Sequence, residues 1–362
     1  MNSSVTFNSL PEVLSYGISL SKASKNIIVG RSFEKLSAES ALRAGLLKGG
    51  ANVILMGRSI KPELFMASSL YEDALCVYIQ DSSFLKIDTE EKGGLPLTNK
   101  TQELLCESSD TIHAAEGFIT DGSVLKNIYL NDLKKILPEK SPFKITVSSS
   151  SGFSESFGSE KSQDEIIIQL SPDGTKASLY SDKSGFISYS QLILLCCLEH
   201  FEQGRDVALP YDFSFSADKI ASEYGKKVHR YFSSGDGVSD KEARSTAVSQ
   251  RFTSDGMFLA LNAVRILTEK KMPLKNMRDI IPESHCLKKY ISVDCKKIDG
   301  FLNSQRGTST PDGTSFSEKN GRVLMRPSDS GNGLWLNVES FSMETAEEIC
   351  GKIEEKLRKF QA

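Results

Sequence analysis

The stretch from Asn26 to Gln80 limits the fold more than any other part of the chain. Within it "NIIVG", "ANVILMG" and "ALCVYIQ" are unbroken apolar runs, separated by "LSAESALRAGLLKGG" and "PELFMASSLYE". A strand buried on both faces reads as a continuous Val/Ile/Leu run, whereas a strand with one wet face alternates. The intervening segments have helical length, and Leu36, Ala41, Leu42, Gly45 and Leu46 fall on the apolar positions of the first. This alternation predicts βαβ units on a largely parallel sheet covered on both faces. Ligands bind beyond the strand ends of such sheets.

A second α/β region runs from about Asp164 to Pro282. "DEIIIQLSPDG" reads as strand and turn, "ASLYSDKSGFISY" as a hairpin around Asp182–Gly185, and "QLILLCCLEHFEQG" as a helix. "DVALPY", "SADKIASEYG" and "KVHRYF" continue as strand, helix, strand. "DGMFLALNAVRILTEKK" is an amphipathic helix, and "PLKNMRDIIP" a short closing one. Between the two regions, "SSSSGFSESFGSEKSQ" (148–163) has little to bury and reads as a loop or linker. A last region mixes strands with a final helix. There Thr345 and Glu348 fit a capping box, and Ala346, Ile349, Ile353, Leu357 and Phe360 share one face.

Composition narrows the function classes. A length of 362 residues predicts two to four domains, and 39% hydrophobic with 25% charged residues supports packed cores. The net charge of −3, with no basic tract, argues against nucleic-acid binding. The longest apolar run, "LILLCCL" at Leu192–Leu198, is far short of a membrane span. "MNSSVTFNSLPEV" lacks the basic and apolar segments of a signal peptide, so a cytoplasmic location is expected. Seven scattered cysteines without CxxC, and four isolated histidines, predict reduced thiols and no Cys/His metal site.

The order of segments resembles a known family. "IIVGRSFEKLSAESALRAGLLKGGANVILMGRSIKPELFMAS" is similar to the first domain of the α-D-phosphohexomutases, the phosphoglucomutase/phosphomannomutase family. "ALPYDFSFSADKIASEYGKKVHRYFSSGDG" and "SDGMFLALNAVRILTEKKMPLKNM" resemble its third domain, and "GRVLMRPSDSG" the phosphate-binding loop of its fourth. The resemblance covers nearly the whole chain in order. It implies a multi-domain α/β fold: two α/β sandwich domains with mixed or parallel sheets and a small C-terminal α+β domain. The implied divisions are 1–142 (domain I-like), 143–172 (a remnant of a largely deleted domain II, with the metal loop), 173–284 (domain III-like) and 285–362 (domain IV-like). It also implies movement of a phosphoryl group between the 1- and 6-positions of a hexose phosphate. That chemistry takes a phosphoserine, a Mg²⁺ on three aspartates, a sugar-reading loop and a phosphate-anchoring loop.

Each of these elements is altered here. Ser82, in "QDSSFLKID", falls at the phosphoserine position, with Ser83 in place of the family's histidine. Beside Asp81 and without a basic neighbour it is a poor nucleophile, and a polar turn is its plainer reading. The metal loop is "SPDGTK", where Asp173 stands between Ser171 and Thr175 and Lys176 follows. One carboxylate is a weak magnesium site, and Pro-Asp-Gly is a turn in its own right. "KEARSTAVSQRFTSDG" holds no Gly-Glu-x-Ser-Gly sugar reader, and Glu242 is its nearest acid. Arg326, Ser328 and Ser330 match the family's phosphate-binding arginine, serine and threonine, while Asp329 replaces a small residue and Trp335 a second basic one. Composition alone would make this loop a hairpin turn; the resemblance makes it a phosphate cradle.

The expectation is therefore a shortened, degenerate phosphohexomutase-like protein that is not an enzyme and has no metal cofactor. It would bind a hexose phosphate, a phosphate or sulfate anion, or a protein partner. One alternative is an active phosphotransferase with Ser82 as carrier, Asp173 as Mg²⁺ ligand, and Arg326, Ser328 and Ser330 on the phosphate. Another is an assembly protein, such as a homodimer, that uses the former cleft as its interface.

Overall fold

The three apolar runs form strands at the centre of one sheet. In chain order the first region holds β1 (Ser4–Phe7), α1 (Leu10–Ala23), β2 (Asn26–Arg31), α2 (Leu36–Lys48), β3 (Asn52–Arg58), α3 (Lys61–Ser68), β4 (Leu75–Ile79), β5 (Leu85–Glu90), α4 (Asn99–Cys106), β6 (Ile119–Asp121) and α5 (Ser123–Lys134). The sheet order is β1-β5-β4-β2-β3-β6. From β4 through β2 and β3 to β6 neighbours run parallel, while β5 and β1 add an antiparallel edge. This computed structural model describes residues 4–32, 36–80, 84–106, 117–137, 142–149, 153, 156–158, 165–183, 185–233, 235–272, 276, 281, 285–318, 321–328 and 333–361.

Both faces of the sheet are covered, which is why its strands carry no polar alternation. Val13 and Leu20 of α1 and Leu42 and Leu46 of α2 pack on one face; Leu64 and Phe65 of α3 pack with Ile28, Ile54 and Tyr78 on the other. The helices α1 and α2 meet backbone to backbone. A Cβ on Gly45 would lie 2.0 Å from the Leu14 carbonyl oxygen, so only glycine permits this approach. Leu36, expected on the apolar face of α2, is instead 56% exposed, at the helix's first position.

The second region contains β7 (Lys144–Ser149), β8 (Ser156–Gly158), β9 (Glu165–Leu170), β10 (Ala177–Ser181), β11 (Gly185–Ile187), α6 (Tyr189–Glu202), β12 (Val207–Pro210), α7 (Ser216–Glu223), β13 (Val228–Tyr231), α8 (Lys241–Ser249) and α9 (Gly256–Glu269). Five strands form a sheet in the order β11-β10-β9-β7-β8, and β12 pairs separately with β13 in parallel. The expected hairpin is present, with Tyr180 opposite Phe186. The serine-rich stretch is not wholly a linker. Within it β8 pairs antiparallel with β7, setting Phe157 opposite Ile145, and both side chains are buried. A single core runs from Tyr129 and Leu133 of α5 through β7–β11, α6 and α9 to Ile281, so residues on both sides of position 172 share it. The expected "PLKNMRDIIP" helix lies almost entirely outside the described residues.

The last region is β14 (His285–Ser292), α10 (Cys295–Ser304), β15 (Thr308–Thr310), β16 (Gly313–Glu318), β17 (Gly321–Pro327), β18 (Gly333–Ser340) and α11 (Met343–Gln361). Its sheet, β14-β18-β17-β16-β15, is antiparallel throughout. The helices α10 and α11 cover one face through Phe301, Ile349, Ile353 and Leu357, leaving the other face toward the second region. The helix cap lies three residues earlier than the sequence suggested. Ser342 Oγ accepts from the Thr345 amide at 3.1 Å, so Thr345 is inside the helix rather than its cap. Among the described residues no helix is long and apolar enough to cross a membrane.

Candidate functional site

The strand register divides the uncovered face of the C-terminal sheet into rows. On β18, Leu334, Leu336 and Val338 point into the core, so Trp335, Asn337 and Glu339 point out. Across the sheet Glu339 stands opposite Arg322 and Cys286, Asn337 opposite Leu324 and Lys288, and Trp335 opposite Arg326 and Tyr290.

Two of these rows are occupied by the loop between β12 and α7. Glu339 accepts hydrogen bonds from the Phe215 amide at 3.0 and 3.1 Å and from the Ser214 hydroxyl. The Arg322 guanidinium lies 3.3 Å from the Phe215 ring centre, and Arg230 stacks on the same ring at 4.2 Å. In the middle row, Asn337 donates to the Asp212 carbonyl at 3.3 Å, and Lys288 Nζ lies 3.5 Å from the Asp212 carboxylate. In the third row, Tyr290–Trp335–Arg326, the two rings are exposed and Arg326 is half-buried. Trp335 is 43% and Tyr290 42% exposed.

Arg326, assigned to a phosphate from sequence, therefore stands at the open end of a wedge between two regions. Its Nη1 donates to Ser233 Oγ at 3.3 Å. Ser233 is in turn fixed by buried Asp312, which accepts from its amide at 2.9 Å and its hydroxyl at 2.7 Å. A cavity of about 70 Å³ lies here, lined by Arg326, Trp335, Asn337, Lys288, Asp212 and Asp312 among others. Ser328 is buried at the base of the loop, its amide donating to the Gly333 carbonyl at 2.8 Å. Ser330 lies outside the described residues, as does Asp329.

The metal-loop candidate is elsewhere and is engaged internally. Asp173 Oδ1 accepts from Ser171 Oγ at 2.7 Å, Thr175 Oγ1 at 2.9 Å and the Thr175 amide at 3.1 Å. Its carbonyl accepts from the Lys61 amide at 2.8 Å, and Gly174, at φ +81°, completes the turn. Burial opposes ionisation of this carboxyl, but Ser171, Lys61 and Thr175 together hold it below the usual range. The residues Ser171 and Thr175, read as replacements for metal ligands, instead hydrogen-bond the carboxylate that would bind the ion.

Ser82 lies outside the described residues, but the strands that carry its loop converge on a buried ion cluster. Lys61 Nζ lies 2.6 Å from Asp88 Oδ2 and 2.6 Å from Glu90 Oε1. Gln80, the last described residue before the loop, donates to Asp88. Burial raises the Glu90 carboxyl to about 7, against the opposing pull of Lys61. Lys61 keeps its proton, because the two carboxylates outweigh the cost of burying the ammonium. Nothing in "SIKPELF" marks Lys61 as buried, since its partners lie on β5; only the pairing of β4 with β5 brings them under α3.

The residues present do not fit a magnesium ion. Asp173 is a lone acid with Oδ1 engaged by its own loop, and Asp88 and Glu90 share the Lys61 ammonium at contact distance. Among the described residues no group of three or more His, Cys, Asp or Glu side chains converges as metal ligands. Mg²⁺ gives up its water reluctantly and needs anionic oxygen ligands free to replace it.

Glu242, the nearest acid where a sugar loop was expected, lies instead in the first turn of helix α8 and faces solvent at 81% side-chain exposure. Two acids bordering that segment are buried, Asp255 and, just before it, Asp240, which accepts from the Phe232 amide at 2.8 Å and pairs with Arg244 at 3.1 Å. Arg244 also donates to the Pro96 carbonyl at 2.8 Å, tying α8 to the first region. Sequence reasoning missed the aromatic row. Its signal was the in–out alternation of "GLWLNVES", which puts Trp335 on the face opposite Leu334 and Leu336.

No family model and no curated protein matches the chain. Solved structures do. A phosphoglucomutase/phosphomannomutase family protein from Burkholderia thailandensis aligns with a TM-score of 0.72 at 14% identity, covering 99% of this chain and 95% of that one. A protein from Thermus thermophilus, assigned as a phosphomannomutase, aligns with a TM-score of 0.68 at 15% identity, covering 97% and 95%. The resemblance read from the sequence segments thus extends to the three-dimensional fold.

Proposed function

We propose that this chain, built on the phosphohexomutase fold, binds a phosphorylated hexose without turning it over. One observation carries this reading: one oxygen of the lone Asp173 carboxylate is engaged by Ser171 and Thr175, with no second acid beside it in the loop, while Arg326 lines a cavity beside exposed Trp335. Phosphoryl transfer depends on fixed positive charge around the moving group, supplied in large part by metal ions. The ammonium of Lys61 is already balanced by Asp88 and Glu90 and adds little to such a field. Arg326 can still recognise a phosphate, because a guanidinium forks two parallel hydrogen bonds onto its oxygens. The hexose comes from the resemblance of "GRVLMRPSDSG" and from the two solved structures, one a phosphoglucomutase/phosphomannomutase family protein and the other assigned as a phosphomannomutase.

The test joins turnover to binding. With glucose 1-phosphate or mannose 1-phosphate and magnesium, a coupled assay is expected to show no product above background. Calorimetry with the same sugars is expected to show binding that Arg326→Gln abolishes. Turnover that disappears in Ser82→Ala, together with an added phosphate on Ser82 by mass spectrometry, would overturn the proposal and establish an active phosphotransferase. Absence of any hexose phosphate binding, with a concentration-dependent dimer, would instead favour an assembly role for the cleft.

A further inference from the structure

We infer that Trp335, held by Tyr290, is a stacking platform for the hexose ring, so that the former phosphate cradle also selects the sugar. This rests on the reading that the Arg326 row binds a phosphorylated hexose.

The first support is register. Trp335 and Arg326 are direct cross-strand partners, so their side chains leave the same face of the sheet. The Cβ atoms of such a pair lie about 5 Å apart. A phosphate on the guanidinium therefore sets the ring of the same ligand over the indole.

The second is rigidity. Tyr290 flanks Trp335 on the other strand, with ring centres 5.2 Å apart and planes inclined at 61°. Tyr290 lies across Gly333, where a Cβ would come within 2.5 Å of its ring, so glycine lets the tyrosine sit down on the strand. An edge-to-face pair of this kind restricts both rings before any ligand arrives.

The third is the polarity of the surroundings. The cavity that Trp335 lines is also walled by Asp212, Asn337, Lys288 and Asp312. Asn337 and Lys288 meet Asp212, and Asp312 holds Ser233, so this wall is polar and offers ring hydroxyls partners to share, while the apolar face of a pyranose covers the indole. The ring lies on the indole at the cavity mouth and reaches in with hydroxyls. An apolar floor with a few convergent polar groups is the usual composition of a small-molecule site.

The chain's single tryptophan makes the test direct, since its emission reports Trp335 alone. Glucose 6-phosphate and mannose 1-phosphate are titrated against glycerol 3-phosphate and inorganic phosphate, with calorimetry in parallel. The expected result is a saturable change of emission with a hexose phosphate and none with the two ring-free anions. Trp335→Ala should weaken the hexose phosphate about tenfold and leave inorganic phosphate unchanged, while Trp335→Phe retains most of the affinity. Melting temperature confirms that each variant is folded. Should a hexose phosphate bind through Arg326 with no change in emission, or should Trp335→Ala weaken all anions equally, the platform is refuted while the phosphate reading stands. Should no phosphorylated ligand bind, both fall together.

Discussion

The ammonium of Lys61 lies 2.6 Å from the carboxylate of Asp88, and both side chains are over nine-tenths buried. Glu90 completes a cluster with two acids for one base, and both acids lie on β5, the strand that follows the Ser82 loop. Removing one partner from a buried ion pair strands the other charge in low dielectric. Lys61→Met is therefore expected to destabilise the fold by roughly 3–5 kcal/mol. Adding Asp88→Asn and Glu90→Gln to Lys61→Met removes the orphaned charges and should recover much of the loss. Urea unfolding of the single and triple variants checks this; a triple variant no more stable than the single one would refute it.

Glu90 gives the cluster a pH dependence of unusual sign. Its carboxyl is raised from 4.5 to about 7 by burial. Between these values the folded chain keeps a proton that the unfolded chain has released, so stability falls as pH rises through that window. A shift of this size corresponds to roughly 3 kcal/mol, complete above pH 7 and absent below 4.5. His200 acts in the opposite direction. Burial lowers it to about 4, so its contribution is present above its ordinary value of 6.5 and is lost as pH falls toward 4. The difference between the wild-type chain and Glu90→Gln cancels the His200 slope. That difference is expected to favour Glu90→Gln increasingly from pH 4.5 to 7 and to level off above it, as read from urea midpoints.

How much of this was legible in sequence depended on whether the partners were close in the chain. The strands β2, β3 and β4 announced themselves because burial on both faces leaves an unbroken apolar run, and Ile28, Val53 and Val77 are buried as that predicts. Arg326 was legible from its Arg-Pro-Ser context. Lys61 was not, because a lysine opening a helix reads as solvated until β5 delivers Asp88 and Glu90 from more than two dozen residues away. Gln250 was equally silent. Its amide pairs with both backbone groups of Ala208, at 2.7 and 2.9 Å, as an added strand would. The strand β8 escaped notice because three residues carry no periodicity; only their pairing with β7, which sets Phe157 opposite Ile145, makes them a strand.

The self-capped loop at Asp173 predicts indifference to magnesium. A ligand that binds the folded state raises its melting temperature, and one that does not bind leaves it unchanged. Neither added Mg²⁺ nor EDTA is expected to move the melting temperature. Asp173→Ala should instead cost about 1–3 kcal/mol, because Ser171, Thr175 and the Thr175 amide lose their shared acceptor. A magnesium-dependent rise that disappears in Asp173→Asn would reinstate the metal site.

The remaining prediction concerns what holds the cleft at its present width. Glu339 ties β18 to the start of α7 through the Phe215 amide and the Ser214 hydroxyl, while Arg322 and Arg230 both stack on the Phe215 ring. Hydrogen bonds to a charged acceptor are worth about 1.5–3 kcal/mol, and a desolvated cation–π contact up to about 2. Both lie at the closed end of the wedge, whereas Trp335 and Arg326 lie at its open end, one row beyond Asn337. Loosening the closed end should therefore change the spacing at the open end without touching any residue there. Glu339→Ala is expected to lower unfolding stability by about 2 kcal/mol, to speed proteolysis in residues 210–216, and to weaken hexose phosphate binding at Arg326. Glu339→Gln retains one acceptor oxygen and should fall between the alanine variant and the parent chain. If Glu339→Ala lost stability but bound hexose phosphate as tightly as the parent, the docking of the second and third regions would be independent of the site.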